Sequence, residues 1–209
     1  ANTEVPGKEV PSVPTVPVVP ETPVVVVPKF TPDTPVSVSA LTSTQLVWGR
    51  WSEGSPQAND RITVAYNDSA TADRQVTVGN DVYALFRSEN GSKTVKYGLG
   101  EIAFNLSQAQ AVYSANGVAD LMDVKGGTLS IDFEREKFAT SLQLSHPVTG
   151  AIEFNDSGSI FSGGYFYHRD PLQNIAGAVS LDGAEAGYFF DKTLDTGVIN
   201  GLTLWGKKP

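Results

Sequence analysis

Short segments of alternating apolar and polar residues run from residue 40 to the end of the chain, and Gly, Asn or Asp separates most of them. The pattern is clearest at residues 127–133, where Leu129, Ile131 and Phe133 alternate with small or polar side chains. A period of two residues is typical of β-strands with one buried and one solvated face. We predict strands within residues 46–51, 61–66, 82–86, 101–113, 127–133, 138–144, 150–154, 159–166, 175–179, 184–190 and 202–205.

These strands predict an all-β fold, an antiparallel up-and-down β-barrel of about eight strands over residues 39–209. Closure removes the exposed edges that an open sheet would leave. A two-sheet sandwich is the alternative. A membrane-spanning barrel is disfavoured, because it requires strands of about ten residues with lipid-facing apolar side chains, and several segments here are shorter or interrupted by charge. The only helical candidate is residues 118–124, directly after a hairpin-turn signal at Asn116 and Gly117.

Prolines are concentrated at the N-terminus, where residues 1–38 hold nine of the 13. Five of them recur at every third position, at residues 11, 14, 17, 20 and 23. Polyproline II has this three-residue repeat, and proline excludes helix interiors and central strands. We therefore predict an extended linker over residues 1–38, with a PxxP ligand for an aromatic-lined groove as the alternative. Because a linker implies a preceding part and no signal segment is present, we expect a processed C-terminal portion of a longer protein.

The composition excludes several classes of site and partner. The chain has no Cys, which excludes disulfides, thiolate zinc sites, iron-sulfur clusters and a Cys nucleophile. A formal net charge of −8 argues against nucleic acid or an anionic membrane surface as a partner. No run approaches about 18 consecutive apolar residues, so we expect no transmembrane helix.

The last third of the chain resembles the barrel domain of transferrin-binding-protein-like surface proteins of Gram-negative bacteria. Residues 126–133, 157–167 and 175–190 carry the resemblance, and its most specific part is residues 184–187, Ala-Glu-Ala-Gly, followed by three aromatic residues. The chain departs from the family pattern at Tyr188, which replaces a second Gly, and at residues 180–183, which replace an FYGP-type turn. The resemblance implies an eight-stranded barrel at the C-terminal end of an exported protein. It assigns no ligand residues, because in that family the partner-contacting loops usually lie on an accompanying handle domain.

Ligand-binding candidates are few. The two histidines, His146 and His168, are too few for a multi-histidine metal site, and His146 precedes a proline in a predicted loop. Tyr165, Tyr167 and His168 form the one cluster that has side chains able to ligate haem iron. Packing of the two tyrosines beside the barrel is the competing interpretation, and we predict no bound cofactor or metal.

No catalytic set is visible in the sequence. The chain lacks a G-x-S-x-G nucleophile motif and a phosphate-binding Gly-rich loop, and its acidic residues do not form a calcium-loop pattern. We therefore expect that the protein is not an enzyme. Glu185 lies between small residues, and a structural ion pair with Arg50, Arg61 or Arg87 is one hypothesis for its role.

The three tryptophans are predicted to be structural. Trp48 and Trp51 are three positions apart, an odd step, so their rings should lie on opposite sides of the first strand. In a closed barrel the last strand lies beside the first, which predicts that Trp205 contacts Trp48 or Trp51. Eight strands leave an interior that large side chains can fill.

Two classes of function follow. The first is a non-enzymatic binding or display domain on an exported bacterial protein, with a protein partner at the cell surface or an upstream domain of the same chain. The alternative is a small-molecule or haem carrier that uses the barrel mouth. The resemblance implies an extracellular or cell-surface location in a Gram-negative bacterium, with the periplasm as a further possibility.

Overall fold

The structure, a computed structural model, describes residues 36–51 and 59–209. The predicted Pro-rich linker therefore lies outside the described residues, except for residues 36–38. Thirteen strands and two short helices are present in the described part, and the strands form two separate sheets. The helices are α1 (Val38–Thr42) and α2 (Tyr66–Ser69), and the side chain of Ser37 caps α1 by accepting a hydrogen bond from the Ala40 N–H.

The first sheet, which we call the small sheet, is built from strands that lie between Leu46 and Ser88. Its strands are β1 (Leu46–Arg50), β2 (Thr63–Val64), β3 (Arg74–Gly79) and β4 (Tyr83–Ser88), in the order β2-β1-β4-β3. The strand β1 lies parallel to β2 and antiparallel to β4. All five residues of β1 are buried, as is typical of a strand covered on both faces.

The remaining strands form the barrel. They are β5 (Glu101–Ala115), β6 (Val118–Leu121), β7 (Asp123–Asp132), β8 (Lys137–His146), β9 (Gly150–Ser159), β10 (Tyr165–Arg169), β11 (Gln173–Val179), β12 (Glu185–Leu194) and β13 (Gly197–Lys207).

Eight of these strands follow one another around the barrel in the order β10-β11-β12-β13-β5-β7-β8-β9. Every pair along this path is antiparallel, and the last strand, β13, returns to β5. The barrel is nearly closed, because only one isolated bridge, between Ile160 and Phe166, joins the β9 side to β10. The predicted all-β, antiparallel up-and-down barrel of about eight strands is therefore confirmed.

The first strand of the barrel differs from the sequence interpretation. The segments at residues 46–51, 61–66 and 82–86 contribute strands to the small sheet, and the barrel path begins at Glu101. The last strand does lie beside the first strand of the barrel, but that strand is β5. The physical reason is that β1 is apolar on both faces and needs a cover on each, whereas a barrel strand has one solvated face.

The predicted helix at residues 118–124 is wrong. Asn116 and Gly117 both have positive φ, 51° and 79°, as a two-residue hairpin turn requires. The turn folds β6 back onto the end of β5, where Val118 pairs with Ala115 and Leu121 with Val112.

Aromatic rings fill the interior of the barrel. The rings of Phe154 and Phe190 are 4.7 Å apart, and Tyr188 stacks on Trp205 at 5.8 Å. The Tyr188 hydroxyl is 2.8 Å from the Thr140 hydroxyl, and complete burial raises the pKa of the tyrosine. This packing agrees with the expectation that large side chains occupy the interior of an eight-stranded barrel.

The small sheet packs against the outer wall of the barrel. Its Trp48 and Leu85 form one buried apolar cluster with Ala178, Leu202 and Leu204 from the barrel strands β11 and β13. The Trp48 indole N–H donates a hydrogen bond to the Thr203 carbonyl at 3.0 Å. A Cβ atom at Gly187 would lie 3.4 Å from the Leu85 side chain, an ordinary van der Waals contact, so the barrel wall at Gly187 faces the small sheet.

Candidate functional site

A buried arginine joins the small sheet to the barrel at the end of β4. One terminal nitrogen of Arg87 donates to the carbonyls of Gly163 and Val179, at 2.8 and 3.1 Å. The other terminal nitrogen donates to Glu89 at 2.8 Å and to the Tyr165 hydroxyl at 3.3 Å. The guanidinium carbon also lies 5.0 Å from the centre of the Tyr165 ring. Arg87 therefore positions the start of β10.

Next to this arginine lies an open groove of about 410 Å³, which we call the aromatic groove. Its lining residues are Thr77, Val78, Phe161, Tyr165 and Tyr167. The rings of Phe161 and Tyr167 stack at 5.3 Å with an interplanar angle of 19°. Both side chains are exposed, by 47% and 61%, so the stack faces solvent.

Two sheet edges form the walls of the aromatic groove. The strand β3, which supplies Thr77 and Val78, is an edge strand of the small sheet. The strand β10 is the terminal strand of the barrel order, at the gap in the barrel. A hydrogen bond of 2.8 Å from the Phe161 N–H to the Tyr165 carbonyl holds the turn that presents the ring of Phe161. The groove thus depends on the packing of the small sheet beside the barrel.

A second groove of about 510 Å³ continues from Tyr167, and we call it the hairpin groove. The turn between β3 and β4 contributes Asn80 and Asp81, and the barrel wall contributes Asn174 and Asp191. The Asn174 amide donates to the Asp191 carboxylate at 2.8 Å. The lining of the hairpin groove also includes Arg169 and Phe189, so it carries charges of both signs and apolar surface, whereas the aromatic groove has an uncharged lining.

The three candidate ligand residues do not converge on one point. Tyr165 and Tyr167 line the aromatic groove, and Tyr167 and His168 border the hairpin groove. The His168 ring, however, bonds through Nδ1 to the Asp156 carboxylate at 2.8 Å. The Tyr165 hydroxyl is bonded to Arg87. The three candidate haem ligands are therefore distributed over two grooves, and two of them, Tyr165 and His168, are hydrogen-bonded to other side chains.

Asp156 is the centre of a polar cluster that joins β9 to β10 and β11, which we call the seam. Its second carboxylate oxygen accepts from the Gln173 amide at 2.8 Å, and Gln173 also donates to the Asn155 carbonyl at 2.7 Å. Lys192 donates to the Gln173 side-chain oxygen at 2.9 Å. The seam therefore closes the barrel through side chains where the strands β9 and β10 do not form a ladder.

His146 is a structural residue. It is the last residue of β8, at the start of the predicted loop, and it is buried. Its ring packs against Tyr113 at 5.1 Å and accepts a hydrogen bond from the Val148 N–H at 3.2 Å.

Glu185 does not form the expected ion pair with an arginine. Its Oε2 atom accepts hydrogen bonds from the backbone N–H groups of Gln45 and Leu46, at 2.9 and 3.0 Å. Arg87 pairs instead with Glu89, and Arg50 donates to the Thr63 hydroxyl. Burial raises the pKa of Glu185, although the two backbone donors act in the opposite direction.

The variant Glu185→Gln tests this arrangement. The raised pKa means that ionisation of Glu185 costs stability as the pH rises through the interval above its ordinary value of 4.5. We expect the free energy of unfolding of the variant, relative to the natural chain, to increase between about pH 4 and pH 7, by less than about 1 kcal/mol after solvent screening. Urea unfolding at several pH values measures this difference.

Glu153→Gln, at an exposed position on β9, is the matched control for this measurement. The free energy of unfolding of each variant is compared with that of the natural chain at each pH. If this difference changes with pH no more for Glu185→Gln than for Glu153→Gln, the raised pKa of Glu185 is contradicted.

The tryptophans occupy three different environments. Trp48 is fully buried, whereas Trp51 is 43% exposed and donates to the Asn80 carbonyl at 2.8 Å. Trp205 lies inside the barrel, and its N–H donates to the Thr203 hydroxyl at 2.8 Å. Trp48 and Trp205 thus bind the same residue from two separate clusters, and no Trp–Trp ring contact occurs among the aromatic pairs of the described ranges.

The described residues contain neither a candidate metal cluster nor a helix suited to cross a membrane. No group of three or more His, Asp or Glu side chains lies close enough to hold a metal ion within residues 36–51 and 59–209. Within the same ranges, no helix has the length and apolar character needed to cross a membrane.

Comparison with known proteins finds similarity only among solved structures. No protein-family description and no curated protein sequence matches the chain. One similar structure is the isotype 1 transferrin binding protein B from serogroup B Neisseria meningitidis, with a TM-score of 0.43, 11% identity and coverage of 63% of this chain. This chain spans 31% of that protein's length. Another is the siderocalin Ex-FABP, which functions through dual ligand specificities, with a TM-score of 0.30, 13% identity and coverage of 52% of this chain and 72% of that one. Neither similarity assigns a residue or a ligand to this chain.

Proposed function

We propose that this protein is a non-enzymatic binding domain whose aromatic groove takes an extended segment of a protein partner. The solvent-facing stack of Phe161 on Tyr167 carries the proposal. Aromatic side chains that stay exposed in a concave site are typical of protein interfaces, because they bury a large apolar area when a partner binds. Tyr165, held by Arg87, supplies a rigid floor for such a contact.

The outer wall is a better binding site than the barrel interior. The rings of Phe138, Phe154, Phe166, Tyr188 and Phe190 pack against one another inside the barrel. This packing favours a partner outside the barrel over a small molecule carried within it.

The location that we propose is the surface of a Gram-negative bacterium, after export. The resemblance of residues 126–190 to transferrin-binding-protein-like barrels supports this location. The net charge of −8 does not favour nucleic acid as a partner.

Panning of a phage-displayed random peptide library on the full chain tests the binding function. We expect enrichment of apolar, extended peptides that bind the natural chain. Their binding should be lost in the double variant Phe161→Ser with Tyr167→Ser, because that variant removes the exposed stack. The apparent Kd of individual enriched peptides, measured by fluorescence anisotropy, is the readout.

The matched control is Val148→Ser, which removes an exposed apolar side chain, 67% accessible, from the turn between β8 and β9. Enriched peptides should bind this variant as they bind the natural chain. Either the absence of enrichment or equal binding to the double variant would refute the proposed site.

A further inference from the structure

We propose that the Pro repeat of this chain, residues 11–23, binds in the aromatic groove of the same molecule. The inference rests on the groove assigned above as the partner-binding surface, and it specifies a polyproline II segment as the occupant. It makes the groove a site that is occupied intramolecularly until a partner displaces the repeat.

The chemistry of the groove fits a polyproline II ligand. Grooves that recognise such ligands are lined by aromatic side chains, because flat rings pack well against proline rings. Three of the five lining residues are aromatic, and the other two are Thr77 and Val78. The lining of the groove carries no charge, and the repeat carries only one ionisable residue, Glu21, so the two surfaces are similar in polarity.

The repeat supplies the complementary surface. A proline at every third residue places the rings along one edge of a rod that has three residues per turn. Valine occupies four of the eight positions between the prolines, so a polyproline II conformation would present an apolar surface over much of its length. A segment predicted to adopt polyproline II has little conformational freedom to lose, so its binding would order few additional bonds.

The connection between repeat and groove is long enough. The described chain starts at Val36, which packs on the same apolar cluster as Val78 and Tyr165. Residues 24–35 extend over at most about 40 Å, at about 3.3 to 3.6 Å per residue. The small sheet that must be crossed has four strands, which at about 4.8 Å spacing is about 15 Å wide.

Covalent connection makes even a weak contact effective. A short tether gives a linked ligand an effective concentration of up to about millimolar. An affinity in that range is therefore sufficient for the repeat to occupy the groove, and a partner segment must compete with it.

A nitroxide spin label tests the proposal directly in the full chain. The chain has no Cys, so Thr15→Cys gives a single labelling site within the repeat. We expect amide signals of Val78 and Tyr167 to lose most of their intensity in the presence of the label, while signals near Val148 keep theirs. The intensity ratio between the oxidised and the reduced label is the measurement.

Two sets of variants establish specificity. Phe161→Ser with Tyr167→Ser should restore the amide intensities at β3, whereas Val148→Ser should leave the broadening unchanged. Pro14→Gly with Pro17→Gly, which breaks the rod but keeps the neighbouring valines, should also restore them.

Several results would overturn the inference. Unbroadened groove signals, broadening that survives Pro14→Gly with Pro17→Gly, or broadening found only between labelled and unlabelled molecules in a mixed sample would each refute intramolecular binding. Peptides selected by panning would still bind in the first case, which separates a failure of this inference from a failure of the binding function.

Discussion

Arg87→Met is expected to lower the free energy of unfolding by about 3–5 kcal/mol, the cost typical of removing one partner from a buried ion pair. The Arg87 side chain is fully buried, and the Glu89 side chain is 6% exposed. The substitution leaves the Glu89 carboxylate without its cation and removes the donors to the Gly163 and Val179 carbonyls. Urea denaturation followed by circular dichroism measures the loss.

Arg135→Met is the matched control for this substitution. Arg135 also pairs with an acid, Asp132, at 3.1 Å, but its side chain is 81% exposed. Exposed ion pairs contribute little, so we expect a change within about 0.5 kcal/mol. If both variants lost similar stability, the buried network around Arg87 would not join the two sheets as described.

Trp205→Ala is the second substitution with a large expected effect. It should lower the free energy of unfolding by about 3–5 kcal/mol, because removal of a large buried ring leaves a cavity that the barrel cannot close. Trp205 is 1% exposed and stacks on Tyr188. A Cβ atom at Gly127 would meet its ring at 3.1 Å, which shows how closely the Trp205 ring approaches β7, the strand beyond β5 in the barrel. The midpoint and slope of urea unfolding give the change in free energy.

Trp51→Ala provides the comparison, since it removes the same side chain from a half-exposed position. This variant loses the hydrogen bond to Asn80 and the ring contact with Tyr66 at 6.2 Å. We expect its free energy of unfolding to fall by about 1 kcal/mol. A Trp205→Ala loss no larger than that of Trp51→Ala would contradict the description of the barrel interior.

The barrel could be predicted from the sequence because its strands have one solvated face. Residues 127–144 show the period of two on both sides of a charged turn, and the structure pairs Leu129 with Thr140 and Ile131 with Phe138. The helix predicted at residues 118–124 is wrong because seven residues are too few for periodicity to distinguish a short helix from a strand. The positive φ angles of Asn116 and Gly117 decide the outcome.

The small sheet could not be placed from strand patterns alone, because pairing partners depend on which faces are covered. One signal was present in β11. Its outward positions carry Ala176 and Ala178 where a solvated face would carry polar residues, and Ala178 is fully buried. Small apolar residues on the outer face of a barrel strand indicate that another layer covers it.

The candidate site was only partly accessible from the sequence. The sequence indicates Tyr165 and Tyr167 because, together with His168, they form a cluster able to ligate haem iron. Phe161, however, lies in a turn, and Val78 lies in another sheet. The groove exists only because two distant strand edges meet, and no local pattern encodes that meeting. The same is true of Arg87, whose partners lie 76 and 92 residues further along the chain.

The seam gives the barrel a preferred place to open. Seven of its strand junctions are ladders of backbone hydrogen bonds, whereas β9 and β10 are joined by one bridge and by side chains around Asp156. Separation there breaks few backbone bonds, so the barrel can unroll as a curved sheet that begins at the seam while its other strands stay paired. An opening of this kind would uncover Phe166, the first interior ring beside the gap, and would leave two unpaired strand edges available to other chains.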